Sequence, residues 1–232
     1  MIPLRDNIPS SRTPVVNIMI IATCVVVFLI QLASPTRLQE WAFNPRNVIS
    51  PQAIAEVGWG YIGLTIFTSM FMHGGFLHLG FNMLFLWVFG DNVEDRMGHL
   101  RYLVFYLLCG AIAAAAHSLV SLFAPVPVLG ASGAIAGILG AYFVLFRGAT
   151  VRALVPIFVI FTVMDLPAVV FLGLWFVFQL LSGMGTFGRA GGGVAFWAHI
   201  GGFLAGALLV RFFAVTPRRG IPRPRVLDIR YD

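Results

Sequence analysis

Lysine is absent from this 232-residue chain, and charge of either sign is scarce. Asp, Glu, Lys and Arg together make 10% of the residues, against 59% that are hydrophobic. A soluble domain carries about 25% charged residues, so a soluble globule is excluded: one core of this size could not hide so much apolar surface. Cysteine is nearly missing too. Cys24 and Cys109 both fall in apolar segments, which leaves no spaced set for a disulfide framework or a cysteine metal site. The net charge of +6 is carried by arginine alone, and six of the fifteen arginines lie from Arg211 onward. Five of these, Arg218, Arg219, Arg223, Arg225 and Arg230, follow an apolar run and have no aromatic residues interleaved as a stacking platform. They argue against nucleic acid as a partner and for attraction to anionic lipid headgroups.

What is present is apolar sequence in runs long enough to cross a bilayer, at about 20 residues per span. The expected fold class is all-α, a polytopic membrane protein with a six-transmembrane-helix bundle. Spans are read at Val15 to Leu32, Gly75 to Gly90, Leu100 to Phe123, Ala131 to Phe146, Ala168 to Leu181 and Phe196 to Ala214. The first is read as a retained span rather than a cleaved leader. Residues 1–14 form a polar N-terminal segment, 15–214 the six-span domain and 215–232 a basic tail. The stretch Val151 to Asp165, just before the fifth span, reads as largely interfacial.

Arginine placement orients these spans. Twelve arginines fall at the termini and in the even-numbered turns, while the odd-numbered loops hold only Arg37, Arg46 and Arg189. The positive-inside rule then places both termini in the cytoplasm, as expected for a multi-pass protein of a cell (inner) membrane. The long first outer loop carries Trp41, Phe43, Trp59 and Tyr61, which suits a partly helical segment lying on the membrane surface. The loop from Gly183 to Val194 holds six glycines and is expected to be mobile.

Strongly polar groups inside spans are costly and mark function. His78, Asn82, Ser132 and His199 stand out. His78 and Asn82 are four apart and share a helix face. Ser132 opens the fourth span within Gly130-Ala131-Ser132-Gly133, and His199 lies just inside the sixth. With the second, fourth and sixth helices entering from the same side, all four residues fall within the first two turns, about 10 Å of depth. Taken singly, the serine could bond its own backbone and the asparagine could be interhelical glue. Together they are the parts of nucleophilic acyl transfer. Ser132 is the nucleophile and His199 its base. The Ser132 backbone N–H, His78 and Asn82 are donors for an oxyanion. No carboxylate is expected at that depth, so the reading is a dyad. Gly133 with Gly137, and Gly202 with Gly206, form GxxxG pairs that would let the two dyad helices approach closely.

At these residues the sequence resembles the rhomboid family of intramembrane serine proteases. Gly130 to Gly133 resembles its GxSG nucleophile motif, and Ala198-His199-Ile200-Gly201-Gly202 with Gly206 its AHxxGxxxG. His78 to Asn82 matches HxxxN, with His73 just upstream, and Gly90, Glu94 and Gly98 resemble GxxxExxxG. The resemblance runs from about Thr68 to Gly206. It implies no cofactor, a cavity opening outward, and single-span membrane proteins as substrates. One departure is visible: many members carry Trp-Arg in the first long loop, whereas Trp59 is followed by Gly60. A reading from another class is a haem or metal protein built on His78, His117 and His199.

Overall fold

The computed structural model describes residues 1–34, 40–121, 127–157, 160–186 and 195–215. The chain is mostly helical, as expected. Strand β1 (Ile2–Asp6) leads to α1 (Val15–Ala33). A 3-10 turn (Pro45–Val48) and α2 (Pro51–Ser69) make up the first long connection. Helix α3 (Phe76–Phe85) continues through a π turn (Leu86–Gly90) into α4 (Asp91–Met97). Then come α5 (His99–Ser121), α6 (Ser132–Leu145), strands β2 (Thr150–Ile157) and β3 (Ile160–Pro167), α7 (Ala168–Thr186) and α8 (Phe196–Phe213).

Among the described residues, α1, α5, α7 and α8 are each long and apolar enough to cross a membrane, and α6 is a shorter apolar helix. The outer surface of the bundle is itself apolar: Leu77 and Leu119 are each 78% exposed. That is the pattern of helices solvated by lipid rather than water.

Helix α6 is the axis. Every residue from Gly133 to Tyr142 is buried, and its glycines bring α8 into backbone contact. A Cβ on Gly202 would overlap the Gly133 carbonyl oxygen, and one on Gly140 would overlap the Phe203 carbonyl oxygen. On its other side, a Cβ on Gly137 would collide with Cys109 of α5. Glycine at these positions removes the side chains that would hold the helices apart, so van der Waals contact runs along the backbones themselves. Cys109 is buried there with a free thiol, as is Cys24.

The Gly90–Glu94–Gly98 motif has a clear structural use. Glu94, 1% exposed, accepts from Val16 N (3.0 Å) and Asn17 N (2.7 Å). It caps α1, whose own N-terminus has no side-chain cap, and its charge suits the positive end of that helix. Asn17 Nδ2 in turn donates to Leu86 O (2.9 Å), and Tyr102 Oη donates to Asn17 Oδ1 (2.7 Å). A Cβ on Gly90 would overlap Asn17. One buried network thus ties α1, the π turn, α4 and α5 together.

The three-stranded antiparallel sheet, in order β1-β2-β3, is an addition to the sequence reading. The stretch read as interfacial is a β-hairpin, with Val151 and Ala153 buried against the bundle. Val151, Val155, Ile160, Thr162 and Val163 are β-branched and suit a pleated surface. Because the middle of the run, Ala153 to Phe161, is apolar throughout, its period could not separate strand from helix. On the exposed face, Arg152 pairs with Asp165 through two hydrogen bonds of 2.7 Å. Asp6 ends β1, where its carboxylate accepts from Tyr142 Oη and Asn92 Nδ2. Partial burial raises its pKa from the ordinary value, against the lowering effect of the Tyr142 bond.

Strand β1, helix α4, the hairpin and the end of α8 gather at one end of the bundle: Ser10 Oγ bonds Asp91, and Val215 N bonds Arg96 O. Helices α3, α6 and α8 all begin at the other end. The glycine-rich loop expected to be mobile lies largely outside the described residues, as does the tail beyond residue 215.

Candidate active site

Three helix starts meet at that far end. Ser132 is the first residue of α6, so its backbone N–H is among those a helix leaves without an internal partner. His199 is in the first turn of α8, 8% exposed. Its Nε2 lies 2.8 Å from Ser132 Oγ. The pair is 67 residues apart in sequence, and the α6–α8 glycine contact is what closes the gap.

The strand of chain before Ser132 is pinned. Gly130 N donates to Ser69 O (2.9 Å) and Val128 N to Phe43 O (2.7 Å). Phe43 is 2% exposed, so it is not a surface aromatic as its loop suggested; it anchors the segment leading to Ser132. Trp59, by contrast, is 60% exposed. Gly130 itself has φ of +126°, a conformation L side chains rarely adopt. A Cβ there would sit 2.7 Å from His78 Cε1 and 2.8 Å from His78 Nε2. Glycine is required twice over: for the turn, and to admit the imidazole.

His78 is thereby laid beside Ser132, because that same Gly130 Cβ position is only 3.7 Å from Ser132 Oγ. Gly74 N donates to His78 Nδ1 (3.2 Å). A neutral imidazole has one N–H, so occupying Nδ1 as an acceptor leaves Nε2–H, the nitrogen facing Gly130, as a donor. Asn82, one turn further along α3 and 7% exposed, has no hydrogen-bond partner for its Nδ2 among the described residues. His73 packs edge-on to His78 with ring centroids 5.2 Å apart. The His73 backbone is held from α1 by Gln31, through bonds of 2.9 and 3.1 Å.

Two residues of α7 touch His199, and the sequence reading passed over the first of them. Gln179 of α7, 5% exposed, places Oε1 2.8 Å from His199 Nδ1. Trp175, one turn earlier, lies over the imidazole with centroids 5.9 Å apart. The signal was available: a glutamine inside an apolar span is as costly as the histidine it serves. Phe171 and Trp175, four residues apart on α7, meet different neighbours. Phe171 packs on Phe85 and Phe89 (6.5 and 6.1 Å), whereas Trp175 packs on His199 and Phe203.

Both ring nitrogens of His199 are taken by Ser132 and Gln179, leaving none for a bis-histidine centre with His117. No three His, Cys, Asp or Glu side chains are grouped to hold a metal among the described residues. Chemically the arrangement offers a hydroxyl bonded to an imidazole, with several N–H donors beside it.

Known proteins are similar to this chain in sequence. The Rhomboid domain family matches residues 62–215. Rhomboid protein 1, mitochondrial, of Saccharomyces cerevisiae is 33% identical over 155 residues, which are 62% of this chain and 40% of the yeast protein. RHOMBOID-like protein 5 of Arabidopsis thaliana is 28% identical over 72% of this chain and 49% of its own length. Rhomboid protease GlpG of Serratia proteamaculans is 27% identical over 82% and 59%. The match therefore spans less than two thirds of each of these relatives. With the family matched over most of its length, the chain belongs to the rhomboid family.

Proposed function

We propose that the chain is a multi-pass intramembrane serine endopeptidase that cleaves transmembrane segments of single-span membrane proteins. The observation that carries the proposal is the 2.8 Å bond between Ser132 Oγ and His199 Nε2. Serine is a weak nucleophile until a base accepts its proton, and the imidazole is in place to do so.

In the proposed reaction Ser132 Oγ attacks the scissile carbonyl while His199 Nε2 takes its proton. The oxyanion is met by the Ser132 backbone N–H, His78 Nε2–H and the Asn82 amide, in a site where such donors are worth more than in water. His199 then protonates the leaving amine, and water, activated by the same imidazole, hydrolyses the acyl-enzyme. No step draws on a cofactor.

Six spans are proposed: the four long apolar helices, the short buried α6, and α3 with its π turn. Both termini are placed in the cytoplasm, because the end holding β1, the hairpin and the end of α8 also holds Arg5, Arg12, Arg96, Arg101, Arg147 and Arg152. The dyad then opens to the outer side of a cell membrane, where an unwound substrate segment can meet it.

The test is labelling of Ser132 in detergent by a fluorophosphonate, alongside cleavage of a reporter transmembrane substrate. Label on the wild type, and none on S132A or H199A, is expected. A folded wild-type protein that neither labels nor cleaves would mark a client-binding relative instead.

A further inference from the structure

Gln179 has no role in a serine–histidine dyad as such, yet it makes the second hydrogen bond to the base. It sits deep in α7 at 5% exposure, and its Oε1 is 2.8 Å from His199 Nδ1. No carboxylate bonds His199 among the described residues. A neutral imidazole holds one proton on one of two nitrogens. If the proton is on Nε2, it points at Ser132 and the ring cannot accept from the hydroxyl. If it is on Nδ1, Nε2 is free to act as base. A buried N–H without an acceptor is strongly disfavoured, so whatever faces Nδ1 selects the tautomer. The carboxamide oxygen of Gln179 faces it.

We infer that Gln179 is the positioning residue of the dyad, a neutral third member that holds His199 in its Nδ1–H, Nε2-accepting form. This inference rests on the proposed protease reading. A triad carboxylate does two things: it orients the imidazole, and it stabilises the imidazolium that forms when the serine proton moves. A carboxamide oxygen does the first and contributes little to the second. The positive ring formed during reaction is instead faced by Trp175, whose centroid is 5.9 Å away, within the range at which an aromatic face attracts a cation. The titratable side chains whose charge reaches His199 are His78 on α3 and His117 on α5; neither is an anion that could replace an acceptor at Nδ1.

The experiment uses the full chain in detergent, with Q179L and Q179E beside the wild type. Turnover is measured as a function of pH, and nitrogen-15 spectra of histidine-labelled protein are recorded, with H199A assigning the His199 signals. In the wild type His199 should carry its proton on Nδ1. In Q179L the spectrum should become a mixture of tautomers and kcat should fall on the order of 100-fold, with KM and Tm little changed. Q179E restores an acceptor and adds charge, so it should recover turnover and move the acid limb of the pH profile to higher pH. A wild-type His199 protonated on Nε2 would overturn the inference. So would a tautomer unaltered in Q179L, or equal losses in Q179L and Q179E together with lowered Tm. If the tautomer responds to Gln179 but no variant, wild type included, cleaves substrate, the protease reading fails and the positioning role stands.

Discussion

Gly206 of α8 rests directly on Gly137 of α6: a Cβ on Gly206 would overlap the Gly137 carbonyl oxygen. The neighbouring helix backbone cannot rotate away as a side chain can, so contact at this point fixes the spacing of the two helices that carry Ser132 and His199.

Gly206→Ala should therefore separate them. The strain expected is about 1–3 kcal/mol, read as a lower Tm in detergent, with loss of Ser132 labelling because the hydroxyl no longer reaches the imidazole. Wild-type labelling in a destabilised G206A protein would show that the dyad distance is set elsewhere.

Ser132→Ala and His199→Ala should each abolish cleavage, on the order of 10⁶-fold as for dyad members that act as a unit, while the protein stays folded. Wild-type activity should also fall on acidification, because only a neutral imidazole accepts the serine proton; an unperturbed histidine titrates near roughly 6.5. Activity flat with pH down to acid unfolding would remove the histidine base.

Asn82→Ala should lower kcat by one oxyanion donor, about 10²- to 10³-fold, with KM nearly unchanged. His78→Ala should do the same. If both donors serve one oxyanion, the double variant should lose less than the product of the single losses, a test open to steady-state kinetics.

Phe171 is fully buried between α7 and the rings of Phe85 and Phe89 on α3 and its π turn. Phe171→Ala should cost about 3–5 kcal/mol of stability and loosen the seam between α3 and α7. If transmembrane substrates enter there, their cleavage should rise relative to that of a short soluble peptide. Trp175→Ala should lower the cleavage of both, since Trp175 packs on His199. Equal effects of F171A on the two substrates would place entry elsewhere.

Asp6 offers a pH test of the sheet end. Its folded pKa is raised, chiefly by burial and further by Asp91, so the folded state holds this proton more tightly than the unfolded chain does. Its favourable contribution is therefore present below the ordinary carboxylate range and is lost as pH rises through the raised value. Asp6→Asn, keeping an acceptor for Tyr142, should flatten that part of the Tm–pH curve. An unchanged curve would mean that Asp6 titrates normally.

Much of the site was legible because its signals are local. His78 and Asn82 show one face by their spacing, and Ser132 with Gly133, or His199 with Gly202, pairs a polar group with a close-packing surface in a few residues. The strand register Arg152↔Asp165 and the cap of α1 by Glu94 were not legible. Each depends on a partner whose position no periodicity encodes.

Composition and hydropathy by themselves determined that this is a helical membrane protein, because runs of apolar residues have one stable solution in lipid: backbone hydrogen bonds made within the segment. They also pointed to Ser132 and His199 as the proposed nucleophile and base, since polar groups at matching depth in an apolar chain are too costly to be incidental. Only the tertiary structure decided which nitrogen of His199 serves Ser132. That choice follows from Gln179, brought against the other nitrogen by the packing of α7 on α8. A tautomer depends on hydrogen-bond directions, and those exist only once the helices are in contact.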